Sequence, residues 1–364
     1  MANIKVHFCF QGTTNIGGQH VYSIYSTELN DLMRKGAYKK PTFSLERVIP
    51  GFPNMGCGVF GSKIVLAGGL VQVGGLEVHN HDLITYDMAN KLVSRNDFPP
   101  MCQRKLRPLV IKLYNKLYVL DTSDYVVDDS FETHDPKENL WTKVQSPYFY
   151  PAFPYFWKGS YSGRTPFSWF ACGKSICLTG PLQNNSLIHH TDQYISDLLP
   201  CFKGLLPFHG MAITYYQQGF PDVVVISFSH GRVEGRRLSV ASRYSLGDPI
   251  LLFETDPFQQ PDGEMSHYFA DCGAGIFCLT TFDNASIHVY MFKILRHKDE
   301  ADGSLDLDLV SLILHEFDFS SFSTGSFTSF CVLGCLVPST TDGCDKQFEE
   351  SVLYSSYLPP LEGC

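Results

Sequence analysis

Six short apolar bursts recur along this chain, and their spacing limits what it can fold into. They are "KVHFCFQG" (Lys5–Gly12), "SKIVLAGG" (Ser62–Gly69), "NKLYVLDT" (Asn115–Thr122), "GKSICLTG" (Gly173–Gly180), "PDVVVISF" (Pro221–Phe228) and "GAGIFCLT" (Gly273–Thr280). Their centres fall roughly 50 residues apart, a period typical of repeat arrays. Each burst is four or five aliphatic, β-branched or aromatic residues bounded by Gly, Asn, Asp or Pro. That length and those boundaries predict a buried strand rather than a helix.

The flanks recur as well. Before the bursts lie "GCGVF" (Gly56–Phe60), "RPLVIKLY" (Arg107–Tyr114), "FSWFAC" (Phe167–Cys172), "GMAITYY" (Gly210–Tyr216) and "HYFADC" (His267–Cys272). After them, a third strand ends in an aromatic or Thr-His followed by Asp, as at Tyr86-Asp87 and His134-Asp135. A tight Asn/Lys turn and a fourth strand follow, with Trp141 in the clearest copy. Each unit therefore reads as four antiparallel strands. One such sheet cannot bury both of its faces alone, so copies must stack radially. The best helical candidate is Ser26–Lys35, with Ser26 as N-cap, in a loop between strands.

The first unit begins at its second strand. The missing first strand can come from "SFTSFCVLGCLV" near the C-terminal end. The expected fold class is all-β: one β-propeller domain over residues 1–364, closed by pairing of N- and C-terminal strands. The count favours six four-stranded blades, with seven as the alternative. "RHKDEADGSLDLDL" (Arg296–Leu309) reads as a solvated loop leading into a half-buried alternating strand.

Gly68-Gly69 with Tyr86-Asp87, and Asp135-Pro136 with Trp141, resemble the kelch repeat, whose second strand ends in Gly-Gly, third in aromatic-Asp and fourth carries Trp. The other copies are degenerate, with Leu120-Asp121, Thr179-Gly180 and Thr280-Thr281 in place of Gly-Gly. The chain is most similar to the divergent kelch, galactose oxidase-like propellers abundant in plants. The resemblance implies a rigid ring that presents variable loops. Kelch-type specifier proteins carry a Glu-x-x-x-Asp-x-x-x-His iron run, and this chain has none.

Composition narrows the function class. The net charge is −9 with a pI near 5.8. That argues against nucleic acid or anionic membrane as a partner, since both need a basic footprint. The Arg232, Arg236, Arg237 and Arg243 group reads as a solvated strand face. "MANIKVHFCFQG" does not read as a signal peptide. The 12 Cys contain no CxxC pair and sit mostly in apolar runs, as small buried hydrophobes of a reducing compartment. A cytoplasmic or nuclear location is therefore expected.

Motifs for chemistry are weak. "ACGKS" (Ala171–Ser175) lacks the first Gly and the following helix of a phosphate loop. "GSYSG" (Gly159–Gly163) puts Tyr161 where a nucleophile elbow needs Ser. Six histidines fall in second-to-third-strand connections: His20, His79, His81, His189, His190 and His230. Imidazoles gathered on one end of a ring could hold a transition metal or act as a base. "SPYFYPAFPYFWKGSYSGR" (Ser146–Arg164) is an aromatic-rich segment, and Tyr148, Phe149, Tyr150, Phe153, Tyr155, Phe156, Trp157 and Arg164 make it a candidate binding lip. The expected function is a protein-interaction scaffold with a protein partner and no required cofactor. The alternative is a metal-assisted enzyme or specifier-like protein acting on a small plant metabolite at the centre of the ring.

Overall fold

The computed structural model describes residues 4–14, 18–34, 40–122, 131–144, 168–173, 175–179, 187–190, 206–208, 210–217, 220, 222–239, 245–255, 267–282, 286–298, 305–318 and 327–338. In chain order its strands begin with β1 (Lys5–Thr14), β2 (His20–Glu28), β3 (Ser44–Pro50), β4 (Gly56–Phe60), β5 (Lys63–Ala67), β6 (Leu70–Val73), β7 (Leu76–His79), β8 (Leu83–Asp87) and β9 (Leu92–Ser94). They continue with β10 (Leu109–Leu113), β11 (Lys116–Leu120), β12 (Phe131–Asp135), β13 (Leu140–Val144), β14 (Ser168–Cys172), β15 (Ser175–Thr179), β16 (Leu187–His190), β17 (Ile213–Tyr215) and β18 (Val223–Ser229). The last are β19 (Arg232–Ser239), β20 (Ser245–Leu246), β21 (Ile250–Glu254), β22 (His267–Gly273), β23 (Ile276–Phe282), β24 (Ser286–Lys298), β25 (Leu305–Asp318) and β26 (Phe327–Leu336).

Five sheets carry four or five strands. They are β26-β1-β2-β3, β4-β5-β8-β9, β10-β11-β12-β13, β17-β18-β19 with β20 and β21 both on β19, and β22-β23-β24-β25. β14-β15-β16 is a three-stranded sheet, and β6-β7 is a separate hairpin. Every apolar burst is the second strand of a sheet, as the spacing predicts.

The bursts are apolar throughout because both of their faces are buried, so the usual in/out alternation becomes a left/right alternation between neighbouring sheets. In β5, Ile64 and Leu66 pack with Cys9, Ile24 and Ile49 of the first sheet. Val65 and Ala67 pack with Val110, Leu117 and Val119 of the next. Tyr118 and Leu120 turn the other way, onto Ile176 and Leu178. Cys177 meets Val223, Val225 and Leu238, while Val224, Ile226 and Phe228 meet Phe277, Leu279 and Phe292. Cys278, Val289 and Met291 then pack on Val6, Phe8 and Cys335, which returns the series to the first sheet. The chain is a β-propeller.

Closure follows the expected route. β26 pairs antiparallel with β1, placing Phe8 opposite Cys335 and Cys9 opposite Gly334. β26 thus belongs to the first blade and founds no seventh. The expectation of six four-stranded blades is corrected to five complete ones among the described residues. The β14-β15-β16 sheet reaches three strands, and residues 191–205 after it lie outside the described ones.

Two further expectations change. The helix α1 spans only Leu29–Leu32, and its N-cap residue is Glu28, with no side-chain cap. Ser26 does not cap it, because it lies in β2 and its hydroxyl donates to Glu46 Oε1 at 2.8 Å. Arg296–Lys298 is not loop but the end of β24. The Arg296 side chain is buried there, stacked 4.4 Å from the Phe220 ring, with its guanidinium donating to the Asp222 carbonyl at 2.6 Å.

Glycine makes the tightest inter-sheet approach. The inner strands β4 and β10 run so close that a Cβ on Gly56 would overlap the Pro108 carbonyl, and one on Gly58 would lie 2.5 Å from the Val110 carbonyl. "GCG" is therefore the sequence that lets two blades meet at the ring's inner edge.

Candidate interaction face

The connections between second and third strands share one end of the ring, as the registers require. In the second blade this connection is not a simple loop. It rises as the β6-β7 hairpin, pairing Leu70 with His79 and Val73 with Leu76. Gly74 and Gly75 form its tip at φ 60° and 81°, a left-handed conformation open to glycine without strain. Val73 and Leu76 flank the tip and are 57% and 71% exposed. Two aliphatic side chains at the tip of a turn contribute little to the core of their own fold.

The hairpin's base is built rigidly. Gly68 and Gly69 adopt φ 70° and 99°, and a Cβ on either would lie 2.5 Å from the Lys105 carbonyl or 2.7 Å from the Pro53 carbonyl. The backbone closes a ring of hydrogen bonds there: Gly69 N to Lys105 O, Asn80 N to Gly69 O and Lys105 N to Asn80 O, at 2.9, 2.8 and 2.8 Å. Lys105 sends its ammonium into the interior, 2.8 Å from Glu132 Oε1, with both side chains fully buried. Glu132 also accepts from the backbone N–H groups of Cys102 and Gln103, each at 2.7 Å. A buried charge pair is tolerated only with such complete satisfaction.

Third-strand ends show why the aromatic-Asp signature recurs. Asp87 Oδ1 accepts from the N–H groups of Ala89 and Asn90, and Asp135 Oδ1 accepts from Lys137 N. Both turns end in a left-handed residue, Lys91 at φ 57° and Asn139 at φ 51°. Trp141 Nε1 donates to the Pro99 carbonyl at 2.7 Å, tying the fourth strand to the chain entering the third blade.

The six histidines occupy different places. His20 begins β2 opposite Thr13, and His79 ends β7 with Nδ1 4.0 Å from Asp121 Oδ2. His81 lies 3.6 Å from its neighbour Asp82. His230 sits in the β18–β19 turn, 2.8 Å from Ser229 Oγ. His189 and His190 are strand residues whose backbones pair with Ile176 and Ser175, which sets them toward the opposite end of their sheet. Among the described residues, no group of three or more His, Cys, Asp or Glu is placed to hold a metal ion.

The aromatic segment Tyr148–Arg164 lies outside the described residues. Its anchors are informative. Val144 pairs with Phe131, and Ser168 pairs with Thr179. Both anchors lie at the end of the ring that carries the β6-β7 hairpin.

A second polar cluster, which the sequence reading did not find, sits at the other end of the seam between first and second blades. Glu46 occupies the bulge in β3, where its side chain turns inward. It accepts from Ser26 and Lys5 through Oε1 and from the Tyr86 hydroxyl through Oε2, at 2.8, 3.2 and 2.8 Å. Burial pushes the Glu46 carboxyl up, but these donors outweigh it and hold it below the usual range. His7 Nε2 lies 3.5 Å away, and burial keeps that imidazole below its ordinary value. No sequence signal marked Glu46, because a bulge residue breaks the alternation that reveals facing.

The innermost strands offer Lys112, His267 and Asp271 as their cationic, imidazole and carboxylate groups. Their other residues are mostly apolar. Asp271 reaches solvent, yet the surrounding protein raises its carboxyl above the usual range.

No protein-family model and no curated protein matches the chain. Solved structures that resemble it include YjhT, with 9% identity and a TM-score of 0.43 over 83% of this chain and 97% of that one. A nidogen/laminin complex aligns at 11% identity and TM-score 0.42, covering 92% and 99%. The six-bladed fucose-binding lectin of Aleuria aurantia aligns at 9% and 0.40, covering 86% and 96%. The fold assignment rests on the strand pairing and inter-sheet packing above, not on these loose superpositions. No described helix is long and apolar enough to cross a membrane.

Proposed function

We propose that this chain is a cytoplasmic, kelch-type interaction scaffold, a single propeller whose sixth blade is built on β14-β15-β16. It docks a protein partner on the end face that carries the β6-β7 hairpin. The carrying observation is the hairpin itself: an exposed Val73/Leu76 tip on a base locked by the buried Lys105–Glu132 pair. An aliphatic tip on a preorganised base loses little entropy on docking. The Tyr148–Arg164 segment, anchored at Val144 and Ser168 on the same end, supplies the aromatic side chains that interface centres favour.

Affinity capture from extract with the full chain tests this. One stoichiometric partner is expected, retained by the wild type. It is lost from Val73→Asp/Leu76→Asp and from Tyr150→Ser/Phe153→Ser/Trp157→Ser, with the melting transition of each variant unchanged. Retention of that partner by both variants overturns the end-face reading.

A further inference from the structure

The seam that closes the ring holds three thiols. Cys272 lies on β22 and Cys278 on β23 of the last blade, and Cys335 lies on β26 of the first. All three are buried in one apolar cluster with Val6, Phe8 and Met291. Cys278 Sγ and Cys335 Sγ are 3.4 Å apart, and the Thr280 hydroxyl stands 3.8 Å from Cys278 Sγ. The two cysteines are 57 residues apart in sequence and belong to different sheets. The closed ring is what brings their sulfurs together.

β26 itself is held by a single ladder. Among the described residues its strand partner is β1 alone, and the register slips twice, leaving Leu333 out between Val332 and Gly334. A slip of this kind leaves one residue unpaired and disrupts the ladder locally. A strand paired on one side through an interrupted ladder opens at lower cost than one paired on both. Cys335 stands next to that slip and faces the last blade. A bond from Cys335 to Cys278 would therefore tie β26 to the neighbouring blade at the place where backbone pairing is weakest.

We propose that Cys278 and Cys335 are a modification site, forming a reversible disulfide that locks the ring shut when a hydroperoxide is present. In the first step the Cys335 sulfur attacks the peroxide: an S–O bond forms, the O–O bond breaks, and the leaving oxygen takes the thiol proton. In the closed ring the Cys278 sulfur then attacks the sulfenic sulfur of Cys335: the S–S bond forms, the S–O bond breaks, and water leaves with the Cys278 proton. The two sulfurs give up two electrons and two protons, and the peroxide receives both. Burial pushes the Cys335 thiol well above its usual range, the neighbouring Cys278 and Cys272 sulfurs push the same way, and the Thr280 hydroxyl opposes them. A covered, protonated thiol reacts slowly. The bond therefore forms as β26 lifts and reseats, over many openings rather than in a burst. Thiol exchange reverses it, as suits a transient bridge in a reducing compartment. This seam lies apart from the hairpin tip, and neither reading needs the other.

The test treats the full reduced chain with hydrogen peroxide, blocks the remaining thiols, and maps the digested protein by mass spectrometry without reductant. The expected product is one linked pair of peptides, carrying Cys278 and Cys335, that dithiothreitol separates. The oxidised protein should unfold at higher denaturant concentration, with the folding equilibrium shifted about tenfold or more, because the bond closes a long loop in the unfolded chain. Cys57→Ala should keep both the linked pair and the shift. Cys278→Ala and Cys335→Ala should lose both. The wild-type map decides the matter alone if either variant fails to fold. Absence of the linked pair overturns the proposal, as does a Cys272–Cys278 bond, which would stay within one blade. An equal yield of the pair from urea-unfolded chain overturns it too, since the closed ring would then have no part in bringing the sulfurs together. A bridge that leaves the denaturation midpoint unmoved overturns the lock.

Discussion

Lys105 and Glu132 pair at 2.8 Å with neither side chain reaching solvent, one from the linker between the second and third blades and the other from a strand of the third. Lys105 lies on the chain entering the third blade and is bonded through its backbone to the hairpin base at Gly69 and Asn80. Glu132 lies on β12 inside that blade. One ion pair therefore ties the loop end of two blades together.

Removing one member should be severe. Lys105→Met leaves a buried carboxylate without its cation, and a cost of about 3–5 kcal/mol is expected. Lys105→Met/Glu132→Leu should recover part of that loss, because no uncompensated charge remains. Chemical denaturation of the three proteins checks the order. A single variant as stable as the wild type would contradict it.

The two glycine pairs of the second blade should respond differently. Gly69→Ala forces a Cβ to 2.7 Å from the Pro53 carbonyl at φ 99°, so a loss of at least about 2 kcal/mol is expected. Gly74→Ala at the hairpin tip has open space around it and carries only the left-handed cost, about 1 kcal/mol. Equal losses at the two sites would show that the base is less rigid than its hydrogen bonds indicate.

Acid should destabilise the fold before its carboxylates titrate. Burial holds both His7 and His134 below the ordinary imidazole range, against the opposing pull of Glu46 on one and Asn139 on the other. In the unfolded chain they take protons near pH 6.5. Below that value the unfolded state binds more protons, so the stabilisation is complete above about pH 6.5 and declines as pH falls toward the folded values. The slope is up to about 1.4 kcal/mol per pH unit for each histidine. Denaturation midpoints from pH 7 to 5 should fall for the wild type and flatten in His7→Asn/His134→Asn. An identical slope in both would reject these two groups as the cause.

Ring closure gives the fourth expectation. A chain ending before Phe327 lacks the strand that pairs with β1, and Val6 and Phe8 lose the cover of Cys335. Such a chain should melt without a cooperative transition and bind a hydrophobic dye. A sharp melt near the wild-type midpoint would mean that the seam contributes little.

Much of the ring was legible from residues. Ile64 to Ala67 announced a second strand because neighbours on both sides leave no polar face, and "SFTSFCVLGCLV" matched the gap left by a first unit that starts at Lys5. The hairpin β6-β7 was not legible, because four-residue strands ending in exposed Val73 and Leu76 carry no burial signal. Arg296 was misread as solvated because a charged residue stacked on Phe220 and held by Asp222 looks, in sequence, like any loop arginine. Ser26 was misread as a cap because its preferred partner, Glu46, lies twenty residues away in sequence. The candidate face was legible only in part: the connections were located, while the side chains that stand out on them depend on tertiary packing.

The β1–β26 pairing also sets an order of events during synthesis. β1 leaves the ribosome before any other strand described, and β26 after all of them. At ~10 residues per second, roughly half a minute separates the two. Throughout that interval the inner edge of β1 has no native neighbour, while its Phe8 and Phe10 are ready to stick to any exposed strand. Pairing of that edge therefore waits until translation supplies the final strand.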